Sequence, residues 1–374
     1  MRTSFRLTTI FNIPIEINLS WFIILGLIVF TLAQGYFPYT DPNLKTSTYW
    51  LMSIVAALLL FASLLAHELS HSLVAKKNKL PIHGITLFIF GGVAHMEKEP
   101  PSPSVEFKMA VAGPAMSFFL AFVFLGITQA ISRLGLPKPI VSISNYLFIL
   151  NLVVGIFNLI PGFPLDGGRV LRAILWNYYK DIRKATAIAS GFGRGFAFFL
   201  IAVGFLNLFT GAIIAGIWFI FIGFFLQEAA DVSYRQVLMK KILGKTKVKD
   251  ILTRDVITVT ADTTLEKLVD DYFFHYRHHS FPVVEDDKIL GLLTLHDVKE
   301  IAREDWGKTT AKDIMMPLSK GLTIDELADS MDAMTKMAAN GVGRLLVIKS
   351  SKLIGILSQR DIMRLFEFRS EIEG

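Results

Sequence analysis

Between Trp50 and Ala66 the chain carries no charged side chain, and it then reaches His67-Glu68-Leu69-Ser70-His71. A helix of that composition belongs in lipid or in a deep core, and ionisable groups placed there are costly and usually functional. The surrounding sequence decides for lipid. From Met1 to Arg235 there are 17 Lys/Arg and 10 Asp/Glu, whereas the much shorter stretch from Gln236 to Gly374 holds 21 and 22. An ordinary soluble domain is about 25% charged, so the first part is excluded from that class and the second fits it. The overall charge of +6 is carried by the apolar part, where Lys and Arg flank spans, and no basic groove for nucleic acid remains. Zero Cys excludes disulfides and thiolate-held metals, leaving His and carboxylates as ligands.

Crossing a bilayer takes about 20 apolar helical residues. Six stretches meet that length: Leu19–Phe37, Tyr49–Val74, Phe107–Ser132, Ser144–Tyr179 with an internal break, Ser190–Phe209 and Ala212–Gln227. The first lacks a small-residue cleavage pattern and is expected to be a retained span. Ile82–Ala94 is apolar but short, with Gly91-Gly92, and is expected to form a β hairpin dipping into the membrane. One side of the membrane receives Arg2, Arg6, Lys76, Lys77, Lys79, Lys98, Lys108, Arg169, Arg172, Lys180, Arg183, Lys184 and Arg194, the other only Lys45, Arg133 and Lys138. The basic side is cytoplasmic by the positive-inside rule. Both termini are therefore expected in the cytosol, with an amphipathic linker (Gln227–Lys247) leading to the charged module. The fold class is a polytopic α-helical membrane protein with a cytosolic α/β module. The domain boundaries read 1–230 for the membrane part, 231–246 for the linker, and 247–308 and 309–374 for the two halves of the module.

His67 and His71, four apart, share one helix face and can hold one metal, and the adjacent Glu68 can act as general base toward its water. Zinc lowers the pKa of such a water to roughly 7, giving a nucleophile without Ser or Cys. The weaker alternative is a satisfied polar patch between helices. A catalytic zinc usually has three protein ligands. The extended pattern that would supply a third His downstream fails, because Val74 and Lys77 stand where it needs Gly and His. His83, His95, Glu97, Glu99 and Asp166 remain. Asp166 follows a Pro/Gly break, Asn158-Leu-Ile-Pro161-Gly-Phe-Pro164-Leu-Asp166-Gly167-Gly168, of the kind tolerated where backbone lines a cavity. It is the best third ligand; its alternative is a cap for the following helix.

The pairing of His67-Glu68-x-x-His71 with Asn158-x-x-Pro161 and Pro164-Leu-Asp166-Gly167 resembles the site-2 protease family of intramembrane zinc metalloproteases, over roughly residues 1–230. The resemblance implies one zinc per chain on His67, His71 and Asp166, catalysis by Glu68, and cleavage of transmembrane protein substrates. It further implies that Asn158 holds substrate or polarises the carbonyl. Phe90-Gly91-Gly92-Val93 resembles the family's hairpin beside the site, and Ala112-Gly113-Pro114 the turn opening its third span. Gly191-Phe-Gly193-Arg-Gly195 reads as helix packing rather than a phosphate loop, and His275-Tyr-Arg-His278-His279 as a solvated or ligand-contacting face rather than a second metal site.

The charged module repeats itself. Val248-Lys-Asp250-Ile-Leu returns as Ala311-Lys-Asp313-Ile-Met, and Gly291-Leu-Leu-Thr294-Leu-His-Asp297 returns at nearly the same offset as Gly355-Ile-Leu-Ser358-Gln-Arg-Asp361. Two occurrences of so long a unit indicate a pseudo-symmetric pair of βαββα-type halves rather than a solenoid. The pattern resembles a pair of CBS domains. That resemblance implies an adenine nucleotide as regulator, with Thr294, Asp297, Ser358 and Asp361 as contacts, and a homodimer formed through the CBS domains. The alternative for these four residues is helix capping alone. A rival reading of the whole chain is a CBS-regulated ion transporter or channel, which gives no reason for two His and a Glu at the HExxH spacing.

Overall fold

The computed structural model describes residues 4–89, 91–96, 99–135, 137–286, 288–318, 321–349 and 352–373. Arg2, Phe90, Glu97 and Lys98, used in the sequence reading, lie outside them. The chain divides into two compact units between Tyr234 and Arg235.

In the first unit, strands β1 (Ser4–Ile10) and β2 (Ile13–Asn18) precede a helical span. That span consists of α1 (Ser20–Thr31), a π-helical turn (Leu32–Tyr36) and α2 (Phe37–Thr40). Helix α3 (Thr46–Lys77) follows, then β3 (Ile82–Phe88), β4 (Gly91–Met96), α4 (Pro103–Arg133), α5 (Lys138–Asn158), α6 (Asp166–Tyr179), α7 (Ile182–Phe209) and α8 (Ile213–Leu243), within which the division falls. Among the described residues six helical segments are long and apolar enough to cross a membrane: Ser20–Thr40, α3, α4, α5, α7 and α8. The stretch read as one broken span from Ser144 to Tyr179 is thus α5 plus a separate amphipathic helix, α6. The reason is local. Pro161 and Pro164 cannot donate to a helix ladder, and α6 carries Asp166, Arg169 and Arg172 within its length. Nor does the helix of the last span stop at Gln227, since α8 continues unbroken to Leu243.

The predicted hairpin forms as β3–β4, yet it is half of a four-stranded sheet in the order β1-β2-β3-β4. The other half is an N-terminal ribbon, which counting apolar spans does not reveal. Its signals are nonetheless present in the sequence. Ile13, Ile15 and Ile17 alternate with Pro14, Glu16 and Asn18, and the Phe11-Asn12 turn has positive φ (50° and 59°) at both positions, as a two-residue hairpin of matching twist requires. Strand β2 pairs in parallel with β3. The inner face, Ile13, Ile15 and Ile85, packs on Leu65 and Leu69 of α3, so one wall of the sheet rests against the HExxH turn itself. β4 is left as the edge strand on that side.

In the second unit, tight turns and short helices connect two sheets. The first half contains β5 (Val259–Thr260), α9 (Leu265–Lys267) running into a π-helical turn (Leu268–Phe274), β6 (Ser280–Glu285), β7 (Lys288–Thr294) and α10 (Leu295–Lys299). After α11 (Ala311–Ile314) and β8 (Met316–Pro317), the second half contains β9 (Thr323–Asp325), α12 (Ser330–Asn340), β10 (Arg344–Lys349), β11 (Lys352–Ser358) and α13 (Gln359–Glu373). The halves exchange their leading segments. Met316 of β8 pairs with Leu292 of β7, and its counterpart Thr253 pairs with Ile356 of β11. The offset of the sequence repeat is therefore matched in the pairing, which is what a pseudo-twofold pair requires.

Candidate active site

Helix α3 presents His67 and His71 one turn apart, both buried, and α6 presents Asp166 from its first residue. His67 Nε2 and His71 Nε2 are 3.2 Å apart, and Asp166 Oδ2 lies 3.1 Å from each. Two arms of about 2.0–2.1 Å at a tetrahedral angle span about 3.3 Å, so the spacing is that of three ligands on one small cation. The capping alternative for Asp166 is not what forms, for the N-cap of α6 is Leu165 and the Asp166 carboxylate is turned to the histidines.

The surroundings fix the chemistry of these atoms. His71 Nδ1 lies 2.6 Å from the Met109 carbonyl oxygen, which can only accept, so Nδ1 carries the proton and Nε2 a lone pair. His67 Nδ1 is bonded to the buried Ser117 hydroxyl at 2.8 Å, the same orienting arrangement. Two imidazole nitrogens and a carboxylate oxygen thus converge, a donor set that a divalent cation satisfies when both rings are neutral. Gly113 leaves the room: a Cβ there would stand 2.1 Å from His71 Nε2 and 2.4 Å from His67 Nε2, about one zinc–nitrogen bond length from both. Met109, Gly113 and Ser117 recur at every fourth position and form one stripe of α4.

Glu68 points beside this centre. A Cβ on Gly92 would approach its Cγ to 2.6 Å, so the Glu68 side chain lies against the backbone of edge strand β4. Asn158 ends α5 and its Nδ2 donates to the Val154 carbonyl at 3.0 Å, a bond within its own helix. Among the described residues His83, His95 and Glu99 do not join the donor cluster; His95 Nε2 instead bonds Thr86 Oγ1 at 3.0 Å.

The second unit contains a cleft of about 390 Å³ with Thr253, Arg277, Arg344, Ser358, Arg360 and Asp361 in its lining. Ser358 donates both its N–H (2.9 Å) and its hydroxyl (2.6 Å) to Asp361 Oδ2. Thr294 and Asp297 make the same capping box at α10 and are not among the residues that line this cleft.

Comparison with known proteins returns the same two parts. The family model described as Peptidase family M50 matches residues 55–136 and 126–202, and that for the CBS domain matches residues 248–304 and 311–367. The zinc metalloprotease MJ0392 of Methanocaldococcus jannaschii is 32% identical and aligns over 100% of both chains. The protein sll0528 of Synechocystis sp., which bears a zinc-metalloprotease name, is 35% identical over 97% of this chain and 96% of its own length. This chain belongs to peptidase family M50, the site-2 proteases. It is a multi-pass membrane zinc metalloprotease with a tandem CBS module, and the transporter alternative falls. A solved site-2 protease from Methanocaldococcus jannaschii is 32% identical, covering 62% of this chain and 95% of its own, with a TM-score of 0.42.

Several residues around the M50 centre escape a reading of the sequence. Ser117 and Met109 are remote in the chain from the histidines they hold, and one of the two contacts is made by a backbone carbonyl, which leaves no mark on side-chain identity. Gly113 stands out in the sequence only as part of a turn; it sits instead in mid-helix, directly before Pro114. Arg172, counted among charges flanking the spans, is buried and paired with the equally buried Glu106.

Proposed function

We propose that this protein is an intramembrane endopeptidase that hydrolyses transmembrane segments at a centre of His67, His71, Asp166 and Glu68. The convergence of three lone-pair donors around the space above Gly113, with Glu68 alongside, carries that reading. A zinc ion held there supplies Lewis acidity toward water and the scissile carbonyl. Glu68 takes the proton from the attacking water on its carboxylate and returns it to the departing amine nitrogen. Ser117 and the Met109 carbonyl keep both imidazoles in the tautomer that leaves Nε2 free. Asn158 is the proposed contact to substrate, a role in which its amide gives up the bond to Val154. Purified protein with one zinc per chain that cuts a transmembrane peptide, and a His67→Ala variant lacking both properties, is the expected result; ion flux without cleavage would reject the reading.

A helical substrate has its carbonyls already bonded and must unwind before hydrolysis. The free edge of β4 beside Glu68 suits an unwound strand, by β-addition. Adjacent residues of an edge strand point their N–H groups in opposite directions, so one of Val93→Pro and Ala94→Pro removes an outward donor. That variant is expected to cut about tenfold more slowly, the cost of one hydrogen bond. Peptide cleavage at wild-type rates by both would sink strand addition. The membrane-dipping placement of β3–β4, six crossings and a cytosolic location of both termini belong to the same proposal; the Lys/Arg asymmetry of the loops supports the orientation, and the six long apolar helices support the number of crossings.

For the CBS pair we propose one adenine nucleotide per chain, in the Ser358/Asp361 cleft rather than at Thr294/Asp297. Burial, and after it the neighbouring Arg360 guanidinium, lower the pKa of Arg344, a strain that an anionic phosphate relieves. Regulation follows if the nucleotide binds two states of the protease with different affinity. Asp361→Ala is expected to weaken ATP or AMP binding at least roughly tenfold, the worth of a charge-assisted hydrogen bond, and Asp297→Ala to leave it unchanged. Calorimetric titration of the full chain checks both, and equal losses would restore the expectation that Thr294, Asp297, Ser358 and Asp361 all contact the nucleotide. Homodimerisation through the CBS pair is the accompanying proposal, measured by mass photometry in detergent.

A further inference from the structure

We infer that the buried Glu106–Arg172 ion pair is a positioning device for the metal centre, holding α6 and its Asp166 carboxylate in register with the stripe of α4 that orients both histidines. The inference rests on the donor set proposed above and adds two residues to it that touch neither metal nor substrate.

Glu106 is fully buried and Arg172 is 6% exposed. Arg172 Nε donates to Glu106 Oε1 at 2.6 Å, and Nη2 donates to the same oxygen. The guanidinium also stacks on the Phe163 ring, 5.0 Å from its centroid, and the Phe163 N–H is bonded to the Ala189 carbonyl of α7 at 3.2 Å. Stability does not explain such a pair. Apolar residues of similar volume in place of a buried ion pair are often neutral or stabilising, and here Glu106 Oε2 is buried with no hydrogen-bond partner among the described residues.

Location does explain it. Glu106, Met109, Gly113 and Ser117 follow one another at steps of three, four and four and lie along one face of α4. Three of the four touch or clear space for His67 and His71; the fourth grips α6. On α6, Arg172 lies six positions beyond Asp166, about 9 Å along the axis. Held at Asp166 alone, α6 could rotate about its own axis and swing the carboxylate off the histidines. A two-pronged guanidinium grip more than a turn away fixes that rotation and the axial register together.

The test is made on the full-length protein. In the double variant Glu106→Met/Arg172→Met, zinc affinity measured by chelator competition is expected to fall roughly 10- to 100-fold, as for loss of groups that orient metal ligands. The Tm of the metal-free protein is expected to hold, and kcat on a transmembrane peptide to fall with KM unchanged. Wild-type zinc affinity, with or without a lower metal-free Tm, overturns the inference, since the pair would then be structural only. Should the double variant not fold, Arg172→Lys, which keeps the charge and gives up the planar fork, is expected to weaken zinc by a smaller factor, and no weakening overturns the inference equally. His67→Ala, run in parallel, separates the two levels: retention of zinc there means that the donor set itself is misassigned.

Discussion

A Gly113→Ala protein is expected to fold, to purify without zinc and to cut no peptide. In a helix interior Ala is favoured over Gly by about 1 kcal/mol, so backbone propensity works against any loss of folding. The damage is confined to the centre. The new methyl would stand 2.1 Å from His71 Nε2 and 2.4 Å from His67 Nε2, and 2.6 Å from His71 Cε1, in the space between the rings. Neither ring can yield easily, because each is buried and tied at Nδ1, one to Ser117 and the other to the Met109 carbonyl. Gly126 of the same helix is the control, since a Cβ there meets nothing within 4 Å. Metal analysis by mass spectrometry, with cleavage assayed beside it, distinguishes the two: one zinc per chain for Gly126→Ala and none for Gly113→Ala. Stoichiometric zinc in Gly113→Ala would mean that the three donors do not share an ion at this place.

Glu68→Gln should give the complementary pattern, with full zinc and little cleavage. The side chain is not one of the three converging donors, and the amide keeps its shape while losing the capacity to take a proton. General-base removal costs about 10²–10⁴ in rate, and the zinc-to-protein ratio is expected to stay at that of wild type. Cleavage within about threefold of wild type, far short of that cost, would remove Glu68 from the mechanism. Because the variant should still bind substrate, it also serves as a trap, and mass spectrometry of co-purifying proteins would name the substrates.

The two positions differ in how far the sequence exposes them. Glu68 is legible because HExxH encodes its geometry locally: a helix places positions four apart on one face, whatever the rest of the fold does. The separation of a lipid-facing part from a water-facing part is equally legible, since each side chain reports its solvent independently of its neighbours. The CBS repeat is visible as a repeat. Gly113, Ser117 and Glu106 are not, because what they do depends on which face of α4 meets α3 and α6, and an apolar span carries no polar face from which that rotation can be read. The N-terminal ribbon is hidden for another reason. Its alternation is clear, but its partner β3 lies beyond two intervening helical spans and pairs in parallel, a relation that no local pattern announces.

Sequence alone determined the solvent of each part, the His-Glu-His unit, the acid after the Pro/Gly break and the pseudo-symmetry of the module, because each is set by short-range periodicity or by residue chemistry. Only the tertiary structure decided that a glycine leaves open the space beside the two histidine Nε2 atoms, that β4 is the edge strand beside Glu68, that the Ser358/Asp361 cleft of the CBS pair is lined with arginines while Thr294 and Asp297 lie outside it, and that Arg172 is buried against Glu106. Those are contacts between segments remote from one another in the chain, fixed by how helices and strands pack rather than by the chemistry any one of them carries.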